Sequence, residues 1–252
     1  MGSELESAVL AYAENRLRMD PVPLDKGTQS AADLYHVLDG VITGRGRSPD
    51  EVLGVYSSVI APSIISADSP RFLGFIPAAP TKASLLFDML VSCASIQGIS
   101  WLEASGAIAA ENTVLRLIAD EAGMPAGAGG CFVSGGSAGN LSAIAVARET
   151  GKKRLGDAAK GRRLRVVVGT DAHSSIVNTL RLLEMDALVV DTPDHRLTAE
   201  TVRTAIDADP DVSDVVAVIC TSGTTNAGIV DDLAGVGAIA RSRGWWFHVD
   251  GA

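Results

Sequence analysis

The stretch VVAVICTSGTTNAG, residues 215–228, carries an apolar run with no polar alternation into a loop where five hydroxyl or amide side chains surround two glycines. A strand with one wet face alternates polar and apolar residues. A strand without alternation is covered on both faces, as in the parallel sheets of α/β proteins. RVVVGT (165–170), ALVVD (187–191) and WWFHVD (245–250) read the same way, and CFVS (131–134) reads as one more strand. Between them lie helical patterns: NLSAIAVARET (140–150), SIVNTLRLLEM (175–185), TAETVRTAIDA (198–208) and LAGVGAIARSR (233–243). Strands alternating with helices predict an α/β fold, a mostly parallel sheet flanked by helices.

Upstream the rhythm is helical. LESAVLAYAENRL (5–17), SAADLYHVLDGVI (30–42) and SPDEVLGVYSSVI (48–60) have helical spacing, the last with a Ser-Pro-Asp-Glu start suited to a helix N-terminus. PSIISADSPRFLGFIPAAP (62–80) contains four prolines and predicts an extended, winding segment. Helix resumes over 81–97 and 102–123, the latter closing at Gly123. The domain reading is an N-terminal helical segment over 1–80 and a large α/β domain over 81–252.

The 252 residues are 47% hydrophobic, enough for a sizeable core. The net charge of −9 argues against a nucleic-acid partner, whose phosphates call for a Lys/Arg surface. Cys93, Cys131 and Cys220 are widely spaced, and no disulfide framework or metal-ligand cluster is visible. No secretory signal or membrane-length apolar segment is present, so a cytoplasmic location is expected, with no membrane partner.

In such sheets ligands bind beyond the carboxyl ends of the strands. After CFVS comes the turn GGSAGNL (135–141), where Gly136 and Ser137 open a helix whose N–H groups suit a phosphate; an ordinary Ser-capped turn is the alternative. The dipole itself contributes only about 0.3–2 kcal/mol, so hydrogen bonds must supply most of the grip. After RVVVGT comes DAHSS (171–175). His173 there could stack on a ligand ring, donate a hydrogen bond or act as acid or base, or be a loop histidine with no role. The 221–228 loop supplies neutral hydrogen bonds or is a solvated turn. At the end of WWFHVD, burying Asp250 without a partner would cost several kcal/mol. An organic cation such as a protonated pyridine nitrogen satisfies it; capping of the next segment is the alternative.

Taken together and in order, SGGSAGNL (134–141), DAHSS, SGTTNAG (222–228) and HVDGA (248–252) resemble the pyridoxal-phosphate-dependent group II amino-acid decarboxylases, which include the aromatic-L-amino-acid, glutamate and diaminobutyrate enzymes. The likeness continues through SPRFLGFIPAAPTKASLLFDML (69–90) and SWLEASGAIAAENTVLRLIADEAGMP (100–125). It implies the large domain of fold-type-I pyridoxal-phosphate enzymes, preceded by a helical segment that embraces a second subunit in a homodimer. By resemblance, Gly136 and Ser137 bind the cofactor phosphate, His173 stacks on the pyridine, Thr225 contacts the cofactor, Asp250 pairs with the ring nitrogen, and Ala252 packs beneath the ring. The implied reaction takes an L-amino acid to an amine and CO2, with His173 and Asp250 as catalytic groups and no metal.

The family also needs a lysine that holds the cofactor covalently. Lys26, Lys82, Lys152, Lys153 and Lys160 match no such motif, so this lysine and a C-terminal small domain are expected beyond Ala252. Gly251 stands where many members have alanine. Ala78 stands where aromatic-substrate members carry threonine, which leaves the substrate open. Another fold-type-I enzyme (a lyase, an aldehyde-forming or a cysteine-desulfurase-like protein) and a non-catalytic homologue are the alternatives. A nucleotide-dependent oxidoreductase is a further one, with Asp171 only partly mimicking its acidic residue and no G-x-G-x-x-G spacing.

Overall fold

A computed structural model describes residues 2–23, 27–74 and 79–252, and it divides into two compact units, residues 1–104 and 105–252. The N-terminal unit holds helices α1 (Gly2–Arg18), α2 (Ala31–Leu38), α3 (Pro49–Val55) and α4 (Lys82–Cys93). It extends past residue 80, the expected end of the helical segment, because α4 groups with the earlier helices.

Local chemistry starts these helices where the sequence suggests. Ser30 accepts from the Asp33 N–H, Thr81 accepts from the Ser84 N–H, and Ser48 and Glu51 form a reciprocal capping box with Pro49 in the first turn. After α3 the chain widens into a π turn over Tyr56–Ile60, where Tyr56 meets Tyr12 edge-on at 5.6 Å. Arg16 pairs with Asp68 at 2.6 Å. The described part of the proline-rich segment from residue 64 onward has neither helix nor strand, and Ala78 lies outside the described residues.

Helix α5 (Trp101–Glu121) is kinked at Ala104 (φ −142°, ψ 41°) and leads into the second unit. There α6 (Gly136–Leu155) precedes β1 (Arg165–Gly169), α7 (Ser174–Leu182), β2 (Asp186–Val190), α8 (Ala199–Ala208), β3 (Val215–Thr221), α9 (Leu233–Arg243) and β4 (Trp246–Asp250). The four strands are parallel in the order β2-β1-β3-β4. All seven residues of β3 are buried, as its unbroken apolar run requires. The edge strands β2 and β4 leave alternate side chains more open, so Val189 and Val249 are exposed. Two apolar layers enclose the sheet. Ile144, Ala147, Ile176 and Leu180 of α6 and α7 cover one face, and Val202, Ile206, Val236 and Ile239 of α8 and α9 cover the other. A register shift between Arg165 and Val166 leaves Val216 unpaired with β1 and turns it towards α6.

One expected strand is absent. CFVS is irregular chain, with Phe132 and Val133 exposed. A strand needs a hydrogen-bonded neighbour, and among the described residues none lies beside it. The Phe132 N–H donates instead to a Glu111 carboxylate oxygen at 3.0 Å. The turn that follows still opens α6, through Gly135 at φ 155° and ψ 164°, a conformation open essentially to glycine.

Candidate active site at the strand ends

The strand order places a topological switch between β1 and β3: from β1 the chain moves outward to β2, then crosses back to β3. The loops after these two central strands diverge, and a crevice opens between them. A cavity of about 410 Å³ lies there, lined by Asp171 and His173 after β1, His195 after β2, and Thr224, Thr225 and Asn226 after β3. Thr224 is buried and ties its own loop, its Oγ1 accepting from the Ile229 N–H at 3.1 Å. Thr225 is exposed at the cavity.

Asp250 ends β4 opposite Thr221 and is only 8% exposed. The strand period of two turns Trp246, His248 and Asp250 to the face covered by α6. Asp250 Oδ2 accepts from Asn140 Nδ2 at 2.9 Å, and Oδ1 accepts from the Ala252 N–H at 3.2 Å. No Lys or Arg pairs with this carboxylate among the described residues. Asn140 Nδ2 also donates to Ser175 Oγ at 3.0 Å, and Ser175 Oγ lies 2.9 Å from His173 Nδ1. A continuous hydrogen-bonded chain thus joins Asp250 to His173. His248 Nε2 meets Asn140 Oδ1 at 2.7 Å, and burial holds the His248 imidazole below its ordinary pKa, against the pull of Asp250.

The glycine turn reaches the same place. A Cβ on Gly136 would fall 2.5 Å from the Ala252 Cβ, so Gly136 and Ala252 touch. Ser137 stands exposed in the first turn of α6. Of the residues singled out by sequence, the structure links His173 to Asp250, sets Gly136 against Ala252, and puts Thr225 beside His173 on the cavity. Sequence reading assigned no role to Asn140, Ser175 or His248. Asn140 lay inside the quoted turn motif, and a buried amide one helical turn after Gly136 is the signal that could have found it.

A second cluster borders the cavity. Asp171 accepts from Thr192 Oγ1 at 2.5 Å and meets His195 Nδ1 at 3.1 Å; these two hydrogen bonds, Thr192 first, lower its pKa. Cys220, by contrast, is inert core: burial, then the charges of Asp231 and Asp232, push its thiol up to about 12. Among the described residues no group of His, Cys, Asp or Glu is placed to hold a metal, and no helix is long and apolar enough to cross a membrane.

The family model described as "Pyridoxal-dependent decarboxylase conserved domain" matches residues 34–252. The chain belongs to this pyridoxal-dependent decarboxylase family. It is 29% identical over 244 residues to an aromatic-L-amino-acid decarboxylase of Bacillus atrophaeus, covering 94% of this chain and 49% of that protein. It is 29% identical over 240 residues to 4-hydroxyphenylacetaldehyde synthase of Rhodiola rosea, covering 86% of this chain and 48% of the relative. The crystal structure of Oryza sativa TDC with PLP and tryptamine shares the fold, with a TM-score of 0.88 at 22% identity, over 99% of this chain and 54% of that one. This chain therefore spans about half the length of the curated relatives it matches. The decarboxylase resemblance drawn from the strand-end motifs, and the fold it implied, agree with these matches.

Proposed function

We propose that the protein carrying this chain is a pyridoxal-phosphate-dependent carboxy-lyase that converts an L-amino acid to an amine and CO2. The observation that carries this is Asp250: a buried carboxylate at a strand end, held by Asn140 and a backbone N–H, with no cationic side chain among the described residues to neutralise it. A protonated pyridine nitrogen is the counter-charge that such a carboxylate favours. The close approach of Gly136 to Ala252 and the open N-terminus of α6 fit a phosphate nearby.

When bound, pyridoxal phosphate supplies the electron sink for the pair left by departing CO2. Asp250 would hold the proton on the ring nitrogen, and His173 would pack against the ring from the loop after β1. Gly136 and Ser137 would bind the phosphate through the helix N-terminus. Thr225 would contact the cofactor from the loop after β3, and Ala252, whose Cβ stands 2.5 Å from where a Gly136 Cβ would be, would pack beneath the ring. The substrate amino acid enters the cavity between the β1 and β3 loops.

The family matches support this reading, and the aldehyde synthase relative keeps an aldehyde-forming reaction as the second one. Residues 1–80 are proposed to embrace a second subunit of a homodimer, with 81–252 as the cofactor-bearing large domain. The exposed Phe87 and Leu90 of α4 support a subunit contact on that helix. A cytoplasmic location is supported by three free cysteines.

The test is an absorbance spectrum of the full-length protein with pyridoxal phosphate, repeated after borohydride and with Asp250→Ala. A visible band that borohydride abolishes and Asp250→Ala weakens is expected. No band in the wild type rejects the cofactor assignment. An amino-acid panel then separates the two reactions: amine and CO2 support the decarboxylase, and aldehyde supports the alternative.

A further inference from the structure

Asn140 is 4% exposed, and both hydrogens of its amide nitrogen and its amide oxygen are engaged by three groups from two other elements, Ser175 of α7 and His248 and Asp250 of β4. Their chemistry dictates its orientation. An ionised Asp250 can only accept, so the amide nitrogen must face it, and the same NH2 sends its second hydrogen to Ser175 Oγ. The amide oxygen then faces His248 Nε2, which must carry a hydrogen.

The polarity continues beyond Ser175. Its Oγ receives the Asn140 hydrogen, which leaves its own hydrogen for His173 Nδ1 at 2.9 Å. That Nδ1 also accepts the Ser175 backbone N–H at 3.2 Å, capping α7. A nitrogen that accepts cannot also hold a proton, so neutral His173 keeps its hydrogen on Nε2.

We propose that Asn140 is a positioning residue that couples Asp250 to His173 through Ser175, making the ionised carboxylate and the Nε2–H form of His173 two ends of one directional hydrogen-bond chain. The purpose of this coupling rests on the cofactor reading above, but the proton positions are a property of the chain itself.

Asn140→Asp tests it at nearly constant shape. Whether ionised or protonated, the new side chain has at most one hydrogen, which goes to Asp250, so towards Ser175 it can only accept. The Ser175 hydroxyl must then turn its hydrogen to residue 140 and offer a lone pair to His173 at 2.9 Å, drawing the proton towards Nδ1 in competition with the longer 3.2 Å contact from the Ser175 backbone N–H. Nitrogen-15 NMR of histidine-labelled full-length protein, with the His173 signal assigned from a His173→Gln spectrum, reads this directly. The wild type is expected to show the Nε2–H form and Asn140→Asp a partial shift towards Nδ1–H, since the Ser175 backbone N–H still faces Nδ1. The shift should vanish when Asn140→Asp is combined with Ser175→Ala, because the connecting hydroxyl is gone. An Nδ1–H form in the wild type overturns the proposal even if no variant folds. So does an Asn140→Asp spectrum unchanged at His173, or a shift that survives Ser175→Ala. Cofactor binding is a separate arm: a wild type without a visible band sinks the cofactor reading and leaves the proton result standing.

Discussion

Gly136 and Ala252 are in contact, and a Cβ built on Gly136 would stand 2.5 Å from the Ala252 Cβ. The colliding atom is a methyl group fixed to backbone, so no flexible side chain can yield. Gly136→Ala must push the glycine turn away from the end of β4. Overpacking of this kind costs about 1–3 kcal/mol. Weaker pyridoxal phosphate binding, by roughly tenfold or more, is the expected result of titrating the full-length variant with cofactor. Unchanged affinity would show that the turn and the strand end do not share a ligand.

Gly151 plays the corresponding part in the core. Its missing Cβ would lie 2.4 Å from Val216 Cγ1 and 2.5 Å from Val216 Cβ, at the residue that the register shift turns towards α6. Gly151→Ala should destabilise the second unit by about 1–3 kcal/mol, read as a lower urea midpoint. Adding Val216→Ala should recover little of that loss, since the Cβ of residue 216, 2.5 Å away, remains.

Asp231 is expected to matter for folding rather than chemistry. It is buried, and its two oxygens accept from the Leu197 N–H at 2.7 Å and the Thr221 N–H at 2.6 Å, pinning the segment after β2 to the end of β3. Asp231→Ala strands two buried donors, each costing about 1–3 kcal/mol. A drop in thermal midpoint, with the cofactor spectrum of any remaining folded protein unchanged, is the expected pattern.

His248 should make stability sensitive to mild acid. Burial holds its folded pKa below the ordinary 6.5. The unfolded chain therefore binds more protons than the folded one between those two values, and stability rises with pH across that window. The contribution is at full strength above the ordinary value and is lost as pH falls through it towards the folded value. Urea midpoints at about pH 8 and about pH 5.5 should differ less in His248→Gln than in the wild type. An equal difference in both proteins would show that other groups carry the dependence.

Much of the sheet was legible because its signals are local. The unbroken run Val215–Cys220 announced a strand covered on both faces, and β3 is buried throughout. Asp232 caps α9 ahead of a helical pattern whose limits, 233–243, match the helix found. CFVS misled for the complementary reason. Apolar residues favour a strand, but pairing needs a neighbour, and the Phe132 N–H turned to Glu111 instead.

Composition and periodicity alone determined the strand and helix alternation, and the order of motifs placed His173, Thr225 and Asp250 just beyond or at the tips of strands. The tertiary structure decided that β1 and β3 sit side by side, so that their loops part around one cavity. It also decided that Asn140 bridges Asp250, Ser175 and His248. The division has a physical cause: burial periodicity is written in neighbouring residues, whereas a buried amide's partners come from distant segments that only the folded sheet brings within 3 Å.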